Sequence, residues 1–178
     1  MGRTIDVEEF EDLYRATAGD VLAYVRRRIL TNADDLTAEV YAVAWRRRSD
    51  LPAAELRRAW LFGVAGTLLK AEGRRRRRDR ELITELAACP EGPADPTEGG
   101  RTAAVVAAAL VRLAARDREI LQLVTWEGLA PAELAVALGV RPGTARVRLH
   151  RARRALAADP DIEALVQQPS PAVPTPTR

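Results

Sequence analysis

The chain has 178 residues, of which 47% are hydrophobic and 30% charged, and its formal net charge is +3. A single cysteine, Cys89, excludes an internal disulfide and a multi-cysteine zinc site, and a single histidine, His150, argues against histidine-based catalysis. The N-terminal residues lack the apolar core of a secretory signal, and no apolar run approaches the ~18 residues of a membrane span. We therefore expect a soluble, cytoplasmic protein that is not an enzyme and that holds no cofactor or metal.

Basic residues are unevenly distributed, and all but Lys70 of the 28 are arginines. The net charge is +4 over residues 1–80, −4 over 81–104, +5 over 105–158 and −2 over 159–178. Two basic blocks separated by an acidic connector suit a protein that touches an anionic polymer at two places. Solvated basic helix faces without a ligand are the alternative explanation.

In the first half, apolar residues recur at helical spacing over 7–29, 34–48 and 53–72, which predicts three or four helices. The first two have acidic residues at the start and arginines at the end, as the helix dipole favours. The third runs into five consecutive arginines, residues 74–78. Two tryptophans beside the apolar stripes, Trp45 and Trp60, are expected in the core, with a role as exposed stacking platforms as the alternative.

The middle and the end of the chain have the composition of irregular segments. Segment 81–104 is acidic and contains three prolines and three glycines, so we predict a flexible linker. Helical spacing resumes at about Thr102 and returns over 115–125, whereas residues 159–178 are predicted to form a disordered Pro-rich tail. With no strand pattern, the predicted fold is all-α, with two small helical domains: residues 1–80 and 105–158.

Residues 131–156 have the layout of a helix-turn-helix. A short helix ends at Gly139, whose missing Cβ permits a left-handed turn. In the second helix, inward positions recur at steps of four and three: Ala145, Leu149, Ala152 and Leu156. The opposite side carries arginines, and such a helix can enter a major groove of DNA. A plain helical hairpin with a solvated basic face is the alternative.

Two sets of motifs resemble one family. Residues 116–156, through RDREILQLVTWEGLAPAELAVALGV and GTARVRLHRARRAL, resemble the C-terminal DNA-binding domain of extracytoplasmic-function (ECF) sigma factors of bacterial RNA polymerase. The first half resembles the N-terminal domain of the same family, with DDLTAEVYAVAWR over 34–46 and AWLFGVAGTLLK followed by RRRRR over 59–78. The two resemblances occur in the family's order and cover most of the chain.

The resemblance implies a docking site for core RNA polymerase on the second helix. An acidic first turn can meet basic residues of the β′ clamp helices, and an apolar stripe adds buried area. Asp34 and Asp35 can also serve to cap the helix. The family often has Gln where this chain has Ala38. The implied docking residues are Asp34, Asp35, Leu36, Glu39 and Tyr41.

The resemblance also implies that residues 49–56 and the helix after them recognise and open the −10 promoter element. Strand opening requires capture of an unstacked base while basic residues hold the backbone. The implied contacts are Arg57, Arg58, Lys70 and Arg74. The chain departs from the family here, with Gly66-Thr67 in place of a frequent Arg-Asn pair and Gly73 before the arginine run.

The second helix of the helix-turn-helix would read the −35 element. The positions that match the family's recognition helix are Arg141, Thr144, Arg146, Arg148 and Arg151. Arg148 could instead be a structural residue that pairs with Glu133 or Glu127.

The function implied by the resemblance is that of a promoter-specificity subunit, which brings RNA polymerase to promoters and helps to open DNA. Its implied partners are core RNA polymerase (through the β′ clamp helices and the β flap), promoter DNA and an anti-sigma factor. Two alternatives remain at this point. One is a helix-turn-helix regulator that does not bind polymerase, and the other is a sigma-like decoy that binds a regulatory protein.

Overall fold

The computed structural model describes residues 4–29, 31–81 and 98–167. Within these ranges the regular structure is entirely helical, which confirms the predicted all-α class. The α-helices of the described ranges are α1 (Val7–Arg26), α2 (Ala33–Arg46), α3 (Arg57–Glu81), α4 (Glu98–Arg112), α5 (Ala115–Thr125), α6 (Pro131–Ala137), α7 (Pro142–Ala157) and α8 (Pro160–Gln167). A short 3₁₀ helix, Ala54–Leu56, precedes α3.

Contacts divide the chain into two compact units. Of the described residues, the first unit contains those up to 81 together with 122–146, and so α1, α2, α3 and α6. The second contains the described residues of 98–121 and 147–167, and so α4 and α8. The predicted domains, 1–80 and 105–158, were drawn from sequence motifs and differ from these units, since residues 122–146 belong to the first unit. The domain boundaries stay a prediction.

The helix ends follow local chemistry. Before α1, the carboxylate of Asp6 accepts a hydrogen bond from the backbone N–H of Glu9 (2.9 Å), and the Glu9 carboxylate accepts one from the N–H of Asp6 (3.3 Å). This reciprocal capping box satisfies two of the unpaired donors at a helix start. In α2, Asp34 and Asp35 occupy the first turn and Arg46 the last, which complements the helix dipole.

The core of the first unit is built from α1, α2 and α3. The rings of Tyr24 and Phe62 lie 5.1 Å apart at its centre. Full burial of each large side chain contributes roughly 1.5–3 kcal/mol to stability. The buried core residues on these helices include Val21, Tyr24, Val25, Val40, Ala44, Leu61, Phe62 and Ala65.

Helix α6 packs on α3 within the same unit. A Cβ built on Gly63 of α3 would lie 2.6 Å from the carbonyl oxygen of Ala137 in α6. Glycine therefore permits the two helix backbones to approach closely at this point. Leu134 and Ala135 of α6 are buried.

In the second unit, α4 contacts α8. Arg112 donates to both carboxylate oxygens of Asp159 (2.8 and 2.7 Å) and to Asp161 (2.7 Å). These bonds hold the pKa of Asp159 below its ordinary value. The Asp159 carboxylate also accepts a bond from the N–H of Asp161 at 3.1 Å, where α8 begins.

Two predictions about irregular segments are wrong in part. The disordered tail was predicted from residue 159, yet residues 160–167 form α8, because Pro160 suits a first helical position and Arg112 fixes the helix start. The predicted linker 81–104 overlaps α4, because the Ala- and Val-rich helix extends back through two glycines to Glu98. The rest of these two segments, 82–97 and 168–178, lies outside the described residues.

Candidate protein-binding and nucleic-acid interfaces

A groove of about 450 Å³ lies between α2 and α3. Three of the five residues predicted to dock on polymerase line it: Asp35, Leu36 and Glu39. The other lining residues are Ile29, Asn32, Leu68, Ala71, Glu72 and Arg75. The groove thus combines an apolar floor with acidic side chains at its edges, and we call it the acidic groove.

Glu72 adds a third carboxylate to the acidic groove that the sequence prediction missed. Its carboxylate accepts hydrogen bonds from Arg75 (2.8 and 3.0 Å) and Arg76 (2.7 Å). These bonds, of which those from Arg75 have the largest effect, lower the pKa of Glu72 to about 2. Glu72 is therefore ionised at neutral pH. The signal in the sequence was the spacing of Glu72 three and four residues before two arginines.

The remaining predicted docking residues lie outside the acidic groove. Asp34 is exposed and accepts a hydrogen bond from Arg26 at 3.2 Å. Tyr41 is buried, and its hydroxyl shares a hydrogen bond with the hydroxyl of Thr17 at 2.9 Å. Burial raises the pKa of Tyr41 to about 12.

A second groove, of about 730 Å³, runs between α1 and α2 and is walled by aromatic rings. Trp45 packs edge-on against Phe10, with ring centroids 5.0 Å apart, and Tyr14 packs against Tyr41 at 4.7 Å. The prediction that Trp45 belongs to the core is wrong, because 36% of the residue is exposed although Phe10 and the guanidinium of Arg48 both contact its ring. Trp60, the other tryptophan expected in the core, is half-buried. We call this second feature the aromatic groove.

The four predicted −10 contacts divide between the first turn of α3 and its middle. Arg57 donates to the carbonyl oxygen of Pro52 (3.3 Å), and Arg58 donates to Asp20 (2.6 Å) and to the carbonyl oxygen of Glu127 (3.0 Å). Lys70 and Arg74 are exposed and, four residues apart, share one helix face. Twelve residues separate Arg58 from Lys70, a rise of about 18 Å along the helix.

The helix-turn-helix forms as predicted. Gly139 has φ of +61°, and its backbone N–H donates to Val136, while Val140 donates to Ala135. This left-handed turn requires glycine for the reason the sequence indicated. The predicted inward positions Ala145, Leu149 and Ala152 are buried, and Leu156 is half-buried.

The predicted −35 contacts are all exposed, but they do not share one face of α7. Thr144, Arg148 and Arg151 follow steps of four and three and form one stripe. Arg146 lies about 160° around the helix from Thr144, since each residue turns the helix by about 100°. The structure therefore separates Arg146 from the other recognition-helix candidates.

The two carboxylates suggested as partners of Arg148 are engaged elsewhere. Glu133 accepts a hydrogen bond from the backbone N–H of Ala130 (2.8 Å) and so caps α6. Both oxygens of the Glu127 carboxylate accept hydrogen bonds from Nη2 of Arg27, at 2.8 and 2.7 Å. The Arg27–Glu127 pair spans a hundred positions of sequence, and nothing in the local pattern indicates it.

Comparison with known proteins places the chain in a family. Residues 104–156 match the family model of sigma-70, region 4. The ECF RNA polymerase sigma factor SigL of Mycobacterium tuberculosis is 34% identical over 128 residues, which cover 70% of this chain and 72% of SigL. The RNA polymerase sigma-E factor of Streptomyces coelicolor is 33% identical over 177 residues, which cover 94% and 96% of the two chains.

The chain belongs to the ECF RNA polymerase sigma factors. This sigma factor directs RNA polymerase in transcription initiation. Because the similarity to the Streptomyces protein spans both halves of the chain, it favours this function over an unrelated helix-turn-helix regulator.

Solved structures of sigma factors have the same fold. RpoE in complex with the anti-sigma factor NepR, from Bartonella quintana, matches with a TM-score of 0.62 and 21% identity, covering 92% of this chain and 100% of that one. CnrH in complex with the cytosolic domain of CnrY matches with a TM-score of 0.54 and 24% identity, covering 93% and 92%. Within the described ranges, no helix of the sigma factor is long and apolar enough to cross a membrane.

Proposed function

We propose that this sigma factor docks on the β′ clamp helices of core RNA polymerase through the acidic groove. The observation that carries the proposal is the position of Asp35 and Glu39 on one side of an apolar floor, with Glu72 lining the same groove from α3. A basic amphipathic helix of a partner would place its charges against Asp35 and Glu39 and its apolar face on Leu36, since Glu72 is already paired with two arginines.

In this proposal the two arginine-bearing helices contact promoter DNA. The exposed Lys70 and Arg74 of α3 suit a strand backbone at the −10 element, because they present two cations on one helix face. The stripe of Thr144, Arg148 and Arg151 on α7 suits the major groove of the −35 element. Arg57 and Arg58 complete the −10 contacts once their present hydrogen bonds are exchanged for phosphate oxygens.

We further propose that the sigma factor acts in the cytoplasm and is controlled there by a protein inhibitor. Two structures of the same fold contain an anti-sigma factor or the cytosolic domain of a partner, NepR and CnrY. The aromatic groove supports this proposal, since exposed contiguous apolar surface is typical of protein-binding sites. Sigma factors do not catalyse the polymerisation reaction themselves, so no catalytic residue is assigned.

Run-off transcription tests the proposal. Purified core polymerase and a genomic promoter library are combined with the full-length chain or with the double variant Asp35→Asn/Glu39→Gln. At limiting sigma factor, we expect promoter-specific transcripts to fall about tenfold in the variant, because charge complementarity sets the rate of encounter.

The matched control removes two exposed carboxylates of α1, in Glu8→Gln/Asp12→Asn. It should transcribe like the parent protein. Equal losses in the two double variants would contradict docking at the acidic groove. A parent protein that yields no promoter-specific transcripts would point instead to a decoy.

A further inference from the structure

Glu127 is unusual among the residues that the structure describes. It is the one charged residue there that is buried, with its side chain 3% exposed. It lies in the turn between α5 and α6, and residues 122–146 belong to the first unit. A buried carboxylate is stable only when it is paired and hydrogen-bonded.

Arg27, at the C-terminal end of α1, hydrogen-bonds the carboxylate, and two further arginines lie close to the same residue. Arg27 donates to both carboxylate oxygens of Glu127, and Nη1 of Arg28 lies 3.7 Å from one of them. Arg58 donates to the backbone carbonyl oxygen of the same residue at 3.0 Å. These contacts tie the turn before α6 to α1 and α3.

The same contacts occupy a residue that the proposed function needs. Arg58 is a proposed contact of the −10 strand, yet it donates to Asp20 and to Glu127. One turn or so further along α3, Gly63 is covered by the backbone of α6 at Ala137. Residues 122–146 thus cover the N-terminal part of α3, where the DNA strand would lie.

We propose that the Arg27–Glu127 pair is an autoinhibitory latch, which holds residues 122–146 on α3 and keeps Arg58 from DNA until the pair opens. The proposal rests on the proposed function in assigning Arg58 to DNA. In this proposal the ion pair stabilises the inactive arrangement. Promoter binding requires Arg27 to exchange Glu127 for another anion.

The pair is built so that an anion can displace it. Arg27 has 37% of its side chain exposed, although Glu127 is buried. A guanidinium binds phosphate as well as it binds carboxylate, so a DNA phosphate or an acidic residue of polymerase can compete for Arg27. Loss of Arg27 would leave the Glu127 carboxylate buried without its main partner, which drives the turn away from α3.

Hydrogen exchange followed by mass spectrometry tests the latch on the full-length chain. The variants are Glu127→Gln and Arg27→Gln, each of which removes one charge of the pair. The matched control is Arg112→Gln, which breaks a bidentate arginine–carboxylate contact of the same length in the second unit. Binding of a labelled 20-nucleotide single-stranded DNA of mixed sequence is measured on the same samples.

In both latch variants, we expect amides of α6 to exchange about tenfold faster or more, because breaking a buried pair shifts the population to the open form. Amides in the core of α1 and α2 should keep their parental rates. Affinity for the DNA should rise about tenfold, because backbone contacts by Arg58 are independent of sequence. Arg112→Gln should change neither α6 exchange nor DNA affinity.

Three results would overturn the latch. Exchange in α6 could stay at the parental rate, or it could rise together with that of α1 and α2, which would show loss of the whole unit. Alternatively, α6 could open without a gain in DNA affinity. The exchange rates do not depend on polymerase, so a failure of the proposed docking would show in the transcription assay while the latch result stands.

Discussion

The Cα of Gly63 in α3 faces the backbone of Ala137 in α6 so closely that an added Cβ would lie 2.6 Å from the Ala137 carbonyl oxygen. The atom in the way belongs to backbone, and it cannot rotate aside as a flexible side chain could. We therefore expect Gly63→Ala to destabilise the contact of α6 with α3 by about 1–3 kcal/mol, the usual cost of overpacking. Urea unfolding of the full chain measures the change.

Gly73 provides the control, because it lies in the same helix with no atom within 4 Å of an added Cβ. Gly73→Ala should stabilise the chain by about 0.5–1 kcal/mol through the higher helix propensity of alanine. Changes in unfolding free energy of opposite sign for the two substitutions would support the close packing of α6 on α3. Equal stabilisation at both positions would show that α6 does not rest on α3.

Tyr41 gives a prediction at alkaline pH. Burial raises the pKa of its hydroxyl from 10.0 to about 12, and the neutral hydroxyl bonds with Thr17 at 2.9 Å. A group whose pKa is raised on folding contributes stability below its unfolded pKa and loses it as the pH rises through the folded value. We expect stability to fall between pH 10 and 12 in the parent, and this part of the decline to disappear in Tyr41→Phe.

The same substitution at neutral pH tests the hydrogen bond itself. Tyr41→Phe should cost about 0.5–1.5 kcal/mol, since Thr17 keeps its second bond, to the carbonyl oxygen of Leu13 at 2.6 Å. Tyr14→Phe, at an exposed ring in the aromatic groove, is the control. If Tyr41→Phe and Tyr14→Phe change the loss of stability between pH 10 and 12 equally, the raised pKa does not belong to Tyr41.

Glu72 gives a prediction at acid pH. Hydrogen bonds from Arg75 and then Arg76 lower its pKa from 4.5 to about 2. Stability from a depressed pKa is present above the unfolded value and is lost as the pH falls through the folded value. The carboxyl carbon resonance of Glu72 should therefore titrate with a midpoint near pH 2, and Arg75→Gln should raise this midpoint. A parental midpoint near 4.5 would contradict the two bonds in solution.

Local sequence predicted most of the helices. Apolar spacing located α5 at its observed bounds, and the helix-turn-helix followed from Pro131, Gly139 and the inward steps of α7. These features depend on residues within one or two turns of each other, so a linear pattern contains them. The acidic edge of the proposed docking site was also visible, because Asp35 and Glu39 lie one turn apart on one helix.

The remainder depends on residues that are distant in sequence. The exposure of Trp45 depends on how far Phe10 of another helix covers it, and the start of α8 depends on Arg112. The partner of Glu127 lies a hundred positions away, where many arginines are equally plausible by composition. Each groove is formed by two helices, and the pattern of one helix does not show which residues of the other face it. Glu72, on the α3 side of the acidic groove, could therefore not be predicted from α2.

The geometry of α7 places the proposed DNA contacts on two sides of the helix, and binding of promoter DNA by the polymerase holoenzyme tests which side is used. Thr144, Arg148 and Arg151 form one stripe, whereas Arg146 lies about 160° away. We expect Arg151→Ala to weaken binding on all sequences and to reduce the salt slope by about one, as for the loss of one phosphate contact.

Thr144 is in the first turn of α7, where a recognition helix reaches base edges, so Thr144→Ala should change the preference at particular base pairs and leave the salt slope unaltered. Arg146→Ala is the geometric control for the stripe, and it should affect affinity less than Arg148→Ala does. The salt dependence of fragments with single base changes measures all four variants. If Arg146 proves the strongest contributor, the other flank of α7 enters the groove, and the stripe that contains Thr144 faces away from DNA.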